Sequence, residues 1–159
     1  MALQKKIRNK RYKDFTKQIL LDNNVEIYLD YVPTSTIRTD ALNLFYNDYK
    51  QMYIKQYSKK YKTWYIKTPI VNDKLHEKGE IGKTSYYQVA ITINGKGTAI
   101  PLHRIIYVWF NDIIPAYNEN NEKMEICHKD GNWQNCHISN LILDTAKNNR
   151  ATRKGNVNQ

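Results

Sequence analysis

The sequence contains little cysteine and no long apolar run. Only Cys127 and Cys136 occur among the 159 residues. No segment combines a basic start, an apolar stretch and a small-residue cleavage site, so we expect a reducing compartment rather than a secretory route. No stretch approaches the roughly 18 consecutive apolar residues that a transmembrane helix requires. The sequence therefore predicts a cytoplasmic protein with no membrane partner.

Acidic residues are also scarce. The chain has 15 Asp and Glu against 25 Lys and Arg, which gives a formal net charge of +10. Such a surface attracts phosphate groups and displaces their condensed counterions, so a nucleic acid is the leading partner class. A merely basic protein is the alternative, and net charge does not distinguish DNA from RNA. The length fits one domain, or a compact module with an N-terminal extension.

The first part of the chain predicts a mixture of helices and strands. Residues 3–20 place apolar side chains four or eight positions apart among Lys and Arg, which predicts a basic amphipathic helix. That helix either lies along phosphates or presents a solvated charged face. Alternation over 25–32 predicts a strand that Pro33 ends. A spacing of three or four over 41–57, after an N-cap at Asp40, predicts a second helix.

The middle of the chain predicts strands. Residues 63–71 are rich in aromatic and β-branched side chains, which favours a strand. The polar, glycine-containing segment 72–84 follows, and we place the boundary between two parts of the chain there. Alternation over 86–94, with a glycine turn at 95–97, predicts a β-hairpin whose second strand is 98–102.

The last part predicts a helix followed by strand, loop, strand and helix. Residues 103–113 carry a compact apolar pattern, which predicts a short buried helix that Pro115 ends. Strands are expected over 125–128 and 141–143, and Thr145 is expected to cap a polar helix. This order brings the end of the first strand beside the final helix.

Two side chains in this region have the chemistry needed to hydrolyse a phosphodiester. The reaction needs a base that deprotonates water and a divalent cation that neutralises charge on the phosphorus centre and on the departing 3′ oxygen. His128 has a pKa range suited to a base near neutral pH, and the amide oxygen of Asn149 is a hard ligand suited to Mg²⁺ or Mn²⁺. We expect both side chains to face one small cleft.

The segment 126–149 also carries a recognisable motif. Its residues are Cys127-His128, Asp130-Gly131-Asn132, Asn135, Asn140-Leu141, Thr145 and Asn149. The segment resembles HNH endonucleases, especially the phage and intron-encoded homing enzymes. Twelve positions separate His128 from Asn140 and nine separate Asn140 from Asn149, as in that family. Together with the upstream hairpin and helix, the resemblance covers roughly residues 85–153.

The resemblance implies an α+β fold with a C-terminal ββα-metal finger, preceded by the β-hairpin and the short helix. Residues 85–159 would form the endonuclease module, and residues 1–84 a basic N-terminal extension of mixed helix and strand that could bind DNA. The implied activity is metal-dependent hydrolysis of double-stranded DNA, by nicking or by double-strand cleavage, with one Mg²⁺ or Mn²⁺ ion. An enzyme of this type would be encoded by a bacteriophage and would act in the cytoplasm of the bacterial host.

The resemblance also implies roles for individual side chains. His128 would be the general base, Asn140 would brace the loop and position His128, and Asn149 would bind the metal. Cys127 stands where many members carry aspartate as the second metal ligand, and a thiol suits Mg²⁺ poorly because it is a softer ligand. Either Cys127 is an outer or absent ligand, with water, phosphate or Asp130 completing the shell, or the site prefers a softer ion.

Basic and polar neighbours complete the predicted site. The side chains expected to hold the DNA backbone are those of Arg104, Lys147, Arg150 and Arg153. The last three belong alternatively to a flexible solvated tail. His103 and Asn135 are expected to support the site, with His103 in the core or behind the reacting residues.

Two other interpretations compete for the same residues. Cys127-His128 and Cys136-His137 repeat a pair of zinc-ligand types, but structural zinc sites usually draw ligands in pairs two to five residues apart. The two cysteines are therefore expected to be buried thiols. The second alternative is a non-catalytic DNA-binding or phage accessory protein that retains the scaffold, and Cys127 is the residue that favours it.

Overall fold

The computed structural model describes residues 12–30, 51–72 and 86–153. Within them the chain has the predicted α+β class, with small antiparallel sheets. The strands are β1 Phe15–Thr16, β2 Val25–Asp30, β3 Gln51–Ser58, β4 Thr63–Lys67, β5 Ile70–Asn72, β6 Tyr86–Ile93, β7 Lys96–Pro101, β8 Ile113–Ile114, β9 Met124–His128 and β10 Leu141–Thr145. The helices are α1 Lys17–Asp22, α2 Leu102–Asn111 and α3 Ala146–Arg153, and a 3₁₀ turn spans Ile138–Asn140. None of these helices is long and apolar enough to cross a membrane.

The first sheet has the order β2-β3-β4, and both strand pairs are antiparallel. The strand predicted over 25–32 is confirmed as far as Asp30. Alternating side chains along a strand point to opposite faces of the sheet, and here Val25, Ile27 and Ile54 are buried on one of them. These residues join the main hydrophobic core.

A buried glutamine joins this sheet to β6. Gln56 accepts a hydrogen bond from the backbone N–H of Thr92 at 3.0 Å and donates to its carbonyl at 2.7 Å. The same amide nitrogen donates to the carbonyl of Asn23 at 2.9 Å. Since buried polar groups need hydrogen-bond partners, these three bonds fix where the two sheets meet.

The helix predicted over 41–57 is wrong in its C-terminal part, because residues Gln51–Ser58 form β3. The buried residues Ile54 and Gln56 are two positions apart, which is the period of a strand. Pairing with β2 on one side and β4 on the other determines this conformation, and local spacing does not reveal such pairing. The rest of the predicted helix, with its cap at Asp40, lies outside the described residues.

The basic helix predicted over 3–20 is wrong in the first part of the segment that the structure describes. Phe15–Thr16 forms β1, which pairs with β8, and the helix begins only at Lys17. Thr16 caps it, since its hydroxyl oxygen accepts a hydrogen bond from the backbone N–H of Ile19 at 3.2 Å. Residues 3–11 of the predicted helix lie outside the described residues.

The strand predicted over 63–71 is divided between two sheets. β4 ends at Lys67, and β5 pairs with β6 in the second sheet, whose order is β5-β6-β7. Pro69 lies between them and has no N–H to donate to a strand partner. The pairing of β5 with β6 crosses the division predicted between residues 84 and 85.

The predicted hairpin is confirmed as β6 and β7. Its turn residues Asn94 and Gly95 have φ values of 50° and 82°, the left-handed conformations that a two-residue hairpin turn needs. The predicted buried helix is confirmed as α2. It ends at Asn111, because the next residue, Asp112, has a φ of 72° and leaves the helical conformation, so the helix stops before Pro115 is reached.

The C-terminal part has the predicted order of strand, loop, strand and helix. β9 and β10 pair antiparallel, with His128 opposite Leu141, and α3 packs against both strands. The predicted cap is confirmed, because the hydroxyl oxygen of Thr145 accepts a hydrogen bond from the backbone N–H of Asn148 at 3.1 Å. These elements hold His128 at the end of a strand that also packs against α2 and β8.

Replacing Gln56 with alanine should destabilise the fold by about 2–4 kcal/mol, because it removes the three hydrogen bonds that this buried side chain makes to Thr92 and Asn23. Urea unfolding measures the change. Gln18→Ala is the matched control, since its amide bonds to Asp22 on an exposed surface and should cost less than about 0.5 kcal/mol. Equal losses in the two variants would contradict the role given to Gln56.

Candidate functional site

The loop that follows His128 is organised around the side chain of Asn140, which is 8% exposed. Its amide oxygen accepts a hydrogen bond from the backbone N–H of Asp130 at 3.1 Å. Its amide nitrogen donates to Asp130 Oδ1 at 2.9 Å and to the carbonyl of Asn135 at 2.8 Å. The backbone carbonyl of Asn140 accepts from the N–H of Lys129 at 2.7 Å. Asn140 thus binds the two residues that follow His128, where the resemblance implies a bracing side chain.

The carboxylate of Asp130 is the second centre of the loop. Its Oδ1 accepts from the backbone N–H of Asn132 at 2.8 Å, and its Oδ2 accepts from the amide of Asn135 at 3.0 Å. Burial raises the pKa of Asp130, but the hydrogen bonds from Asn135, Asn132 and Asn140 together outweigh burial and lower it. Because both oxygens are already engaged in the loop, Asp130 is poorly placed to complete a metal shell. Asn135, which was expected to support the site, therefore contacts the loop through this carboxylate.

His128 is half-buried at the end of β9. Its ring centre lies 4.8 Å from that of His103 in an edge-on contact, and its Nε2 is 3.6 Å from Cys136 Sγ. Burial lowers the pKa of His128 to about 4, and the charge of Asp130 opposes that effect. This pKa is lower than the sequence predicts, because the residues that bury His128 are distant from it in the sequence and become its neighbours only in the folded protein. At neutral pH the ring is uncharged and able to accept a proton.

His103 lies behind His128 on α2. Burial, followed by the neighbouring His128 and Arg104, lowers the pKa of His103 well below its usual value. Its Nδ1 is buried, and among the described residues no hydrogen-bond partner reaches that atom. His103 is therefore an uncharged ring that supports the face of His128 turned away from solvent.

The opposite face of β9 carries a different group of side chains. Because side chains alternate along a strand, Glu125 and Cys127 lie on one face and Ile126 and His128 on the other. Asn149 joins the first face, since its amide nitrogen donates to Glu125 Oε1 at 2.7 Å. Cys127 is 7% exposed. The structure thus brings Asn149 to the face of Cys127 and Glu125, while His128 packs on the other side of the same strand.

Glu125 is the residue of this group that was not predicted from the sequence. Besides its contact with Asn149, Glu125 forms an ion pair with Lys123, with 3.9 Å between Oε2 and the lysine Nζ. It also raises the pKa of Arg104, although burial has the larger effect and lowers it. A carboxylate beside an amide suits a hard cation better than the thiol of Cys127 does. The available signal was the strand itself, since residues two positions apart share a face.

The donor set fits a hard divalent ion better than zinc. Among the described residues no group of three or more His, Cys, Asp and Glu side chains is arranged to hold a metal. Glu125 and Asn149 fit Mg²⁺ or Mn²⁺, which are commonly held by one or two protein oxygens with water and phosphate completing the shell. Cys127 and Cys136 are buried and form no disulfide, so the prediction of buried thiols is confirmed.

The predicted DNA contacts differ in accessibility. Lys147 and Arg150 are exposed and three positions apart, so they share one face of α3. Arg153 is the last residue of that helix. The guanidinium of Arg104 instead packs over the ring of Phe15, with 5.4 Å to the ring centre. Lys147 and Arg150 are therefore open to a polyanion, whereas Arg104 is largely engaged within the protein.

Comparison with known proteins agrees with the resemblance that the motif indicates. Over 72 residues the chain is 38% identical to the protein named H-N-H endonuclease F-TflI of Escherichia phage T5. This chain is related to a phage HNH endonuclease. The matched stretch is 45% of this chain and 36% of that protein, so the chain spans about a third of that relative's length. No family model matches the chain, and no solved structure matches it.

Replacing Asn140 with aspartate should destabilise the protein by about 2–4 kcal/mol. The new side chain cannot donate to Asp130 or to the carbonyl of Asn135, and it places a second negative charge beside Asp130. Urea unfolding and amide exchange at Asp130 measure the effect. Asn132→Asp is the matched control, because the Asn132 side chain accepts from the N–H of Gln134 and aspartate can do the same. Similar behaviour of both variants would contradict the bracing role.

Proposed function

We propose that the chain is a metal-dependent HNH endonuclease that hydrolyses phosphodiester bonds in double-stranded DNA, by nicking or by cutting both strands, in the manner of a homing endonuclease. The observation that supports it most is the placement of His128. It ends a strand, its loop is held by Asn140, and the helix carrying Asn149 packs beside that strand. The match to a phage HNH endonuclease and the net charge of +10 point to the same chemistry.

His128 is the proposed general base. Its neutral imidazole takes a proton from a water molecule as the water oxygen bonds to phosphorus. The bond between phosphorus and the 3′ oxygen breaks, and that oxygen takes a proton from solvent, which leaves a 5′-phosphate and a 3′-hydroxyl. The low pKa of His128 in the free protein keeps its ring uncharged before DNA binds. The negative charge of a bound phosphate raises that pKa towards neutrality and strengthens the base. His103 and Cys136 hold the ring in place.

Asn149 and Glu125 are the proposed protein ligands of the divalent ion. When bound, the ion neutralises charge on the phosphate and on the departing oxygen. Glu125 contributes the carboxylate that the resemblance places at position 127, and its contact with Asn149 already brings both donors together. Cys127 is then at most an outer neighbour of the ion. The exposed face of Lys147 and Arg150 would hold the DNA backbone beside the cut.

A non-catalytic DNA-binding protein is the second candidate, and Cys127 is the observation that favours it. Supercoiled plasmid incubated with Mg²⁺, Mn²⁺ or EDTA separates the two. The nuclease predicts conversion to nicked or linear DNA with either metal and none in EDTA. Binding of the plasmid without conversion under any metal would overturn the proposed activity and support the alternative.

His128→Ala should lower the cleavage rate by at least about 100-fold, because the variant has no base to deprotonate water. Folding and DNA affinity should stay close to wild type, since a base acts in the transition state more than in binding. Plasmid conversion and a gel-shift titration measure the two properties. His76→Ala is the control, because His76 belongs to no motif of the site. A His128→Ala variant that cuts at the wild-type rate would refute the mechanism.

Cys127→Asp should preserve or raise Mg²⁺-supported cleavage, because it adds a hard carboxylate on the strand face of Glu125 and Asn149. The Mg²⁺ concentration that gives half-maximal cleavage should fall. Cys127→Ser controls for loss of the thiol without added charge and should resemble wild type. Complete loss of activity in a folded Cys127→Asp variant would show that the thiol has another role.

A further inference from the structure

A strongly basic surface lies on the hairpin formed by β3 and β4, outside the candidate site. Residues 51–72 contain five lysines and no aspartate or glutamate. We call the exposed part of this hairpin the hairpin patch. Its members are Lys59, Lys60, Tyr61, Lys62, Tyr65 and Lys67. Tyr61 is 63% exposed and Tyr65 is 45% exposed, so two large rings face solvent among the four lysines.

Two of the four lysines of the hairpin patch lie close to aromatic rings. The ammonium group of Lys60 is 5.1 Å from the ring centre of Tyr61, and that of Lys67 is 5.9 Å from the ring centre of Tyr65. In the part of the chain that the structure describes, no carboxylate lies within ion-pair distance of these lysines. Lys55, on the neighbouring face, differs because Glu26 lies 3.7 Å from it. Among the described residues, the positive charge of the hairpin patch is therefore not neutralised by an ion pair.

The hairpin patch borders an open cavity of about 680 Å³. The lining includes Lys59, Lys60 and Lys67, and the turn of the second hairpin at Gly95 forms another wall. Asp22 is the acidic residue on this lining, and one of its oxygens already accepts from the amide of Gln18 at 2.7 Å. The cavity is thus a basic concave surface between two hairpins.

We propose that the hairpin patch binds the sugar-phosphate backbone of duplex DNA. The inference rests on the proposed function, since it takes duplex DNA as the substrate. Lysine ammonium groups and tyrosine hydroxyls are common donors to phosphate oxygens. The contact is to the backbone and carries no base specificity.

The double variant Lys59→Gln with Lys60→Gln tests the proposal. Its affinity for a labelled duplex of mixed sequence, measured by fluorescence anisotropy in EDTA, should fall by about tenfold or more at low salt. The slope of log affinity against log salt should decrease by about 2, since two phosphate contacts are lost. Lys59→Arg with Lys60→Arg is the control, because it keeps both positive charges at the same two positions. Wild-type affinity in the hairpin variant, or equal losses in both variants, would overturn the proposal.

The partner class is tested with wild-type protein and double-stranded RNA of the same length and sequence. Tighter binding to duplex DNA is expected, and equal or tighter binding to RNA would overturn the assignment. Because binding is measured in EDTA, it does not depend on cleavage. If plasmid is never cut but the hairpin variant loses affinity, the proposed nuclease activity fails and the hairpin patch stands. If plasmid is cut and the hairpin variant binds normally, the hairpin patch alone fails.

Discussion

The loop that follows His128 depends on one buried amide. Asn140 donates to Asp130 and to the carbonyl of Asn135, and accepts from the backbone of Asp130. A loop with no regular pairing needs such a side chain, because its backbone groups have no strand or helix partners. The ladder between β9 and β10 ends at the pair of His128 with Leu141. Beyond that pair, the side-chain amide of Asn140 holds the loop through its hydrogen bonds to Asp130 and Asn135.

The two faces of β9 divide the proposed chemistry. His128 packs against His103 on one face, where burial keeps the ring uncharged. Asn149 and Glu125 meet on the other face, beside the helix that presents basic side chains to solvent. A DNA strand crossing the end of β9 would contact both faces, with its phosphate between base and ion. The geometry therefore suits a substrate that is itself extended and charged.

Local patterns predicted much of this architecture. The hairpin, the Thr145 cap and the order of strand, loop, strand and helix are set by neighbouring residues, so alternation and capping reveal them. The C-terminal part of the helix predicted over 41–57 is wrong, because β3 is determined by pairing with distant strands. Glu125 escaped prediction since its partner Asn149 lies 24 positions away. The lowered pKa of His128 likewise follows from tertiary burial, which no spacing in the sequence encodes.

The most direct test of the central claim is a crystal structure of the protein with duplex DNA and Mn²⁺, with the metal located by its anomalous scattering. The account predicts one peak about 2 Å from the amide oxygen of Asn149 and from a phosphate oxygen, with Glu125 facing the ion. His128 should then lie across the same phosphate, within reach of a water molecule. A metal held by Cys127 or Cys136 away from the DNA, or a phosphate that never approaches His128, would contradict the account.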